Sequence, residues 1–256
     1  MQNSNVLWDK SKKPKIIVVL PAYNAEKTLK ATHDDLPLDL ISEVILVDDA
    51  SKDSTIAKAK GLGITVYEHK NNKGYGGNQK TCYDQALKRQ PDVVVMVHPD
   101  YQYDAKLVGV MCEAIVNGRA DIMLGSRIQT RHQVLAGGMP RWKYFANRFL
   151  TLFENLTMGL NLSEYHTGYR AYSSEVLKTI PYKKFSDDFV FDQQILISAL
   201  SYQFNISEIP VPCKYFKDAS SINFRRSTKY GLQTLQTVAQ YLLHTFGIIK
   251  SDLFKK

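Results

Sequence analysis

Cysteine is scarce: Cys82, Cys112 and Cys213 are the only three in 256 residues, widely separated and odd in number. That argues against a disulfide framework and against a structural zinc site, which needs ligands a few residues apart. It suits a reducing, cytoplasmic setting. Long apolar runs are missing as well. The first 15 residues carry no apolar signal core, and the longest apolar stretch, 238–249, is interrupted by Gln240, His244 and Thr245, so no segment is expected to span a bilayer. There is no internal repeat and no low-complexity segment. Recognition-helix, finger and RNA-module signatures are absent, and the basic residues build no stripe interleaved with stacking aromatics, so nucleic acid is not an expected partner.

What is present is an ordinary globular composition, 44% hydrophobic and 23% charged, in a chain long enough for one large α/β domain. The net charge of +8 is unevenly placed. From Cys213 onward eight cations, Lys214, Lys217, Arg225, Arg226, Lys229, Lys250, Lys255 and Lys256, face only Asp218 and Asp252. Such a tail favours phosphates or an anionic bilayer, or else simply solvates the surface.

Short apolar runs at 16–20, 44–47, 64–67, 93–97 and 122–124 read as buried strands. Between them, 25–36, 54–60, 77–89 and 105–117 have the length and periodicity of crossover helices, giving repeated βα units. Near-continuous Val/Ile runs imply strands covered on both faces, the habit of a parallel sheet. The second half predicts helices over 142–158 and 188–202, strands over 168–172 and 206–211, and a final amphipathic helix over 233–246. The apolar face of that last helix, Leu235, Val238, Leu242 and Phe246, suits lipid, a protein partner or the core.

In parallel α/β sheets ligands sit beyond the carboxyl ends of the strands. Pro21, Tyr23 and Asn24 follow the first strand, Asp48, Asp49 and Ser51 the second, His98, Asp100 and Gln102 the fourth, Ser126 and Arg127 the fifth. One crevice would gather them all.

Leu-Pro-Ala-Tyr-Asn-Ala-Glu at 20–26, followed by Val-Asp-Asp-Ala-Ser at 47–51, resembles the opening of family 2 glycosyltransferases. The segment Asn71 to Asn78 resembles the Asn-x-Gly-x-Gly of that family, and His98-Pro99-Asp100 stands where the family carries Asp-x-Asp. Gly125-Ser126-Arg127, the run Glu164 to Tyr172, and Glu208-Ile209-Pro210 are similar to segments of the dolichyl-phosphate mannose synthase-like branch. The likeness covers roughly residues 14–225. It implies a GT-A (nucleotide-diphospho-sugar transferase) fold, a mostly parallel sheet flanked by helices, organised as a tail over 1–13, a catalytic domain over 14–226 and a C-terminal helical extension over 227–256.

The resemblance also implies roles. Asp48 or Asp49 would accept a hydrogen bond from a base N–H, with Pro21, Tyr23, Asn24, Glu26 and Ser51 along base and ribose; as an alternative, the two aspartates cap the following helix. The glycine-rich loop, with Gly76 and, one turn on, Lys80, would bring N–H groups to the donor at a helix N-terminus, or would only satisfy turn geometry. Asp100, with Gln102 beside it, would carry Mg2+ or Mn2+ on the leaving diphosphate; His98 either ligates the ion or stands behind it. Arg127 and Arg170 would pair phosphate oxygens or serve as structural ion pairs. Glu164 stands where the branch has Asp, as an acceptor-side or a metal-side carboxylate, and Lys217 and Arg225 belong to a basic loop that would touch phosphate. Asp192, with Asp187 and Asp188, would supply a general base for a hydroxyl acceptor or cap a helix.

Together with the basic tail, the resemblance implies an inverting hexosyltransferase that moves sugar from a GDP- or UDP-linked donor to a polyprenyl or dolichyl phosphate, docked peripherally at the inner face of the membrane and serving cell-envelope biogenesis. Two other readings are a transferase extending an envelope polysaccharide or glycoprotein glycan, and a non-catalytic nucleotide-sugar-binding module.

Overall fold

The computed structural model describes residues 13–214 and 224–255. Its frame is a seven-stranded sheet of order β3-β2-β1-β4-β6-β5-β7. The strands are β1 (Ile16–Ala22), β2 (Glu43–Asp48), β3 (Thr65–Glu68), β4 (Val93–Met96), β5 (Ile122–Ser126), β6 (Arg170–Ser173) and β7 (Ile206–Pro210). All seven residues of β1 and all four of β4 are buried, as their unbroken apolar runs require of strands covered on both faces.

The helices are α1 (Leu29–Asp34), α2 (Thr55–Gly61), α3 (Gly74–Leu87), α4 (Val108–Val116), α5 (Arg131–Ala136), α6 (Arg141–Met158), α7 (Ser174–Thr179), α8 (Phe191–Ser201) and α9 (Phe224–Thr245). Two core clusters result, one on each face of the sheet: Ile17, Ile45, Val94 and Tyr83 with α3 and α8, and Val18, Leu46, Val95 and Met111 with α1 and α4. Every fully buried Ile, Leu or Val in them is worth roughly 1.5–3 kcal/mol relative to exposure.

β6 runs antiparallel to both neighbours, pairing Met96 with Arg170 on one side and Leu124 with Arg170 on the other. This inversion positions the site. It brings the start of β6, and the 164–169 segment leading into it, to the carboxyl ends of β4 and β5.

The extension is not a separate layer. α9 begins at Phe224, so the boundary expected at 226/227 falls inside a helix. Val238 is fully buried and, with Phe254 and the partly buried Leu242, joins the core, so two of the four residues of the face whose purpose was open pack inward. Phe246 alone of that face is well exposed. Among the described residues no helix is long and apolar enough to cross a membrane. The three thiols are free, and burial raises the pKa of each.

Candidate active site

The loops after β1 and β2 are stitched together. Asn24 N donates to Ser51 Oγ at 2.8 Å while its side-chain oxygen accepts from Lys52 N at 2.9 Å. Ala25 N donates to Thr55 Oγ1, Glu26 N to Asp53 Oδ2, and Ser54 N returns a bond to Glu26 Oε2. Between these loops lies a hollow of about 330 Å³ lined by Asn24, Glu26, Lys27, Thr28 and Asp53. Tyr23 stands 52% exposed beside it, over buried Pro21. A larger hollow, of about 620 Å³, is walled by Asp84, Lys88 and Tyr182 at the far end of α3, away from the strand ends.

Asp48 and Asp49 are both buried but differ in use. Asp49 accepts from His69 Nδ1 (2.8 Å), Lys73 N (2.8 Å) and Gly74 N (3.1 Å). It thus sits as an internal anion at the start of α3, which the helix dipole favours, instead of capping the next helix, α2. Asp48 accepts from Ser51 N through Oδ2, and its Oδ1 has no hydrogen-bond partner among the described residues.

The glycine-rich loop departs from expectation for the same reason. Its N–H groups are already engaged, Lys73 and Gly74 by Asp49, Gly76 and Gly77 by the Asp187 carbonyl. Gly76 is there for close approach: a Cβ would collide with Ser186 O and lie 2.7 Å from Phe191 Cβ. Lys80 is likewise committed, to Phe185 O and to Asp187 Oδ1.

Across β1, the loop after β4 is tied back by Thr28 Oγ1, which donates to Pro99 O at 2.6 Å. Asp100 Oδ1 accepts from Gln102 N, and buried Gln102 passes its carbonyl to Lys214 N. β2 and β4 flank β1, so the loops that carry the Asp48–Asp49 pair and Asp100 lie on either side of β1, two strand spacings or roughly 10 Å apart, and none of the three aspartates lines the hollow itself. Three of the five non-glycine residues with positive φ, Asn24, Ala50 and Tyr101, fall in these strand-end loops. Backbone strain of that kind collects at functional sites.

His98 Nε2 lies 3.0 Å from Tyr75 Oη, which donates to Asp192 Oδ2 at 2.7 Å; Gln79 Nε2 holds Asp192 Oδ1 at 3.1 Å. Burial, then the Asp192 charge, push the Tyr75 pKa up, so the phenol stays a donor, and burial lowers that of His98. A Cβ at Gly168 would touch the His98 ring at 2.7 Å. His98 therefore braces the loop through Tyr75. Asp192, expected as a base, is buried and held from three sides.

The arginines take the structural alternative. Arg170 is fully buried, giving Nε to Thr167 O, Nη1 to Asp192 O and Nη2 to Tyr165 O. Arg127 gives its N–H, Nε and Nη2 to Glu164, which Asn147 Nδ2 also reaches at 2.8 Å. Burial alone would raise the Glu164 pKa; Arg127 outweighs it and holds the carboxyl below its usual value. Glu164 and both arginines thus clamp the 163–170 segment. Lys217 lies outside the described residues, and Arg225 is exposed on the first turn of α9. Tyr75, Gln79, Asn78 and Lys143 were not singled out by the sequence. Asn78 bridges Val47 O and Ala22 O, and burial followed by repulsion from Arg127 lowers the Lys143 pKa to about 8. Tyr75 and Asn78 lie inside the glycine-rich motif and Gln79 directly follows it, which was the available signal.

The described residues bring no three His, Cys, Asp or Glu together as a metal cage. The donor set fits a hard cation of another kind, held by one carboxylate and completed by phosphate oxygens. Asp100 is the carboxylate that would hold it, while His98 has Nε2 committed to Tyr75.

The sequence profile of "Glycosyl transferase family 2" matches residues 17–180, more than half the chain. The chain belongs to that family. A relative of unknown function from Methanocaldococcus jannaschii is 29% identical over 84% of this chain and 88% of its own length. UDP-N-acetylglucosamine–dolichyl-phosphate N-acetylglucosaminyltransferase from Methanococcus voltae is 27% identical, covering 78% of this chain and 86% of that protein. Among solved structures, glucosyl-3-phosphoglycerate synthase from Mycobacterium tuberculosis superposes with a TM-score of 0.69 at 20% identity, over 89% of this chain and 80% of that one. The family 2 glycosyltransferase described here thus has the GT-A fold.

Proposed function

We propose that this family 2 glycosyltransferase moves a hexose, with inversion, from a GDP- or UDP-linked donor to a polyprenyl or dolichyl phosphate. The observation that carries the reading is the state of its acidic cluster. A sugar-hydroxyl acceptor needs a base to take its proton. Asp187 is paired with Lys80, Asp188 with Lys229, and Asp192 is buried under Tyr75 and Gln79. None is poised to take one. A lipid phosphate arrives ionised and needs none. Relatives named for dolichyl-phosphate and undecaprenyl-phosphate sugar transfer support the same acceptor.

On this reading Asn24, Glu26 and Asp53 line the nucleoside hollow, and Asp48, with its unpartnered Oδ1, is the better placed of the two aspartates to receive a base N–H. Asp100 would hold Mg2+ or Mn2+, which supplies positive charge to the departing diphosphate; solved relatives of the same fold carry Mn2+ or Mg2+ with UDP. An acceptor phosphate oxygen attacks the anomeric carbon from the face opposite the diphosphate. The new carbon–oxygen bond forms as the old one breaks, and the electron pair leaves with the nucleoside diphosphate.

The test is incubation of the full chain with radiolabelled nucleotide sugars and undecaprenyl phosphate. Label is expected in the organic extract and is expected to fall about 10²–10³-fold in Asp100→Asn at saturating manganese. Label recovered only in water-soluble glycan would overturn the acceptor, and near-normal turnover of the variant would remove Asp100 from the reaction.

A further inference from the structure

α6 is built inside out. Its buried positions are Asn147, Thr151, Glu154 and Met158, three of them polar. Its solvent-facing positions, at complementary spacings of three and four, are Trp142, Phe145, Phe149, Leu152 and Leu156, between 41% and 76% exposed. A helix lying on a protein core normally turns its apolar stripe inward. Here the inner face has another task. Asn147 holds Glu164, Arg148 Nη1 donates to Ser163 O, and Asn155 brackets Leu162 through both N and O. The helix cannot roll its apolar side onto the core without breaking these bonds.

The stripe is long and its charge is one-sided. From Trp142 to Leu156 it extends roughly 21 Å at 1.5 Å per residue. Over 128–163 the cations are Arg131 and Arg141, both exposed, and the partly buried Lys143 and Arg148, and the one acid, Glu154, is fully buried. Aromatic and aliphatic side chains on one face, basic residues beside them and no exposed acid are the features of a helix that lies in the plane of a bilayer surface. A second copy would cover the stripe too, but a two-fold axis brings the same cations together. Anionic lipid relieves that repulsion.

We propose that the outer face of α6 docks on an anionic bilayer, lying along the headgroup boundary with Trp142, Phe145 and Phe149 inserted. The inference rests on the lipid-phosphate reading and deepens it. The helix that meets lipid on one side holds Glu164 on the other, and so fixes the strand ends beside the surface from which a lipid phosphate would enter.

Sedimentation of the full chain with vesicles of mixed phosphatidylglycerol and phosphatidylcholine, against phosphatidylcholine alone, tests this. Binding is expected on the anionic vesicles and is expected to fall about ten-fold or more in F145S/F149S. Both side chains are exposed, so thermal melting should be unchanged. In a Trp8→Phe chain the remaining tryptophan is Trp142, whose emission should shift to the blue on binding. Vesicle binding indifferent to F145S/F149S, or binding without the shift, would overturn the proposal whatever the acceptor. A dimer dissolved by F145S/F149S, with no vesicle binding, would assign the face to a second copy and equally overturn it. If α6-dependent binding holds while label enters only water-soluble glycan, the docking face stands and the acceptor reading falls.

Discussion

The two halves of the sheet edge hold their carboxylates in opposite ways. Around β1, β2 and β4 the acids rest on backbone N–H groups: Asp48 on Ser51, Asp49 on Lys73 and Gly74, Asp53 on Glu26 and Thr55, Asp100 on Gln102. Around β5 and β6 they rest beside buried cations: Glu164 on Arg127, and Asp192 near Arg170 at 4.0 Å. N–H dipoles fix a carboxylate without neutralising it, so negative charge persists where the nucleotide and its cation are proposed to bind. Ion pairs neutralise charge and lock the segment that carries them. The first half is a mould; the second is a clamp.

The comparison is most sharply tested by Arg127→Met, which strands the Glu164 charge. The expected cost is roughly 3–5 kcal/mol of stability at neutral pH, read by denaturant unfolding. Its pH dependence follows from the sign of the shift. In the wild type the Glu164 pKa is held down, so its contribution is complete above the unfolded value near 4.5 and is lost as pH falls through the folded value. Without Arg127 burial raises that pKa, and stability should instead decline as pH rises above 4.5. A variant with unchanged slope would dissolve the distinction between clamp and mould.

Asp49→Ala should cost less, roughly 1–3 kcal/mol, because it takes the partner from Lys73 N–H and His69 Nδ1, while Gly74 N–H keeps Asn72 Oδ1, and strands no buried carboxylate. A cost as large as that of Arg127→Met would show that the mould is fixed as rigidly as the clamp. The smallest effect is expected at Lys143. Its pKa is lowered to about 8, so the unfolded chain holds more protons between pH 8 and the ordinary lysine range, and wild-type stability should rise across that window. Lys143→Met should therefore gain most below pH 8 and nothing at the alkaline end; a gain independent of pH would point to packing alone.

These halves were also unequally legible. The βα alternation of the first could be read from apolar runs and crossover spacing, and the strands at β1, β2 and β4 fall where the sequence puts them. The inversion of β6 could not, since an apolar run carries no sign of direction. α5 was passed over although Thr130 and Gln133 form a capping box, a pattern visible in the chain. α7, six residues opened by Ser173, gave a weaker signal. In the site, local spacing located the strand-end loops, but partners 117 residues apart, such as Tyr75 and Asp192, meet only in the folded chain. Arginine in a phosphate-like motif and arginine in a buried ion pair look alike in one dimension; only burial separates Arg170 from a ligand contact.

Asp49 at the head of α3 has one more effect. A helix end left vacant offers positive potential to any incoming anion; this one already hosts a carboxylate of its own. For the donor proposed above, countercharge would then have to arrive with the ligand, and nucleotide affinity is expected to depend on the free concentration of divalent ions more steeply than at an open helix terminus.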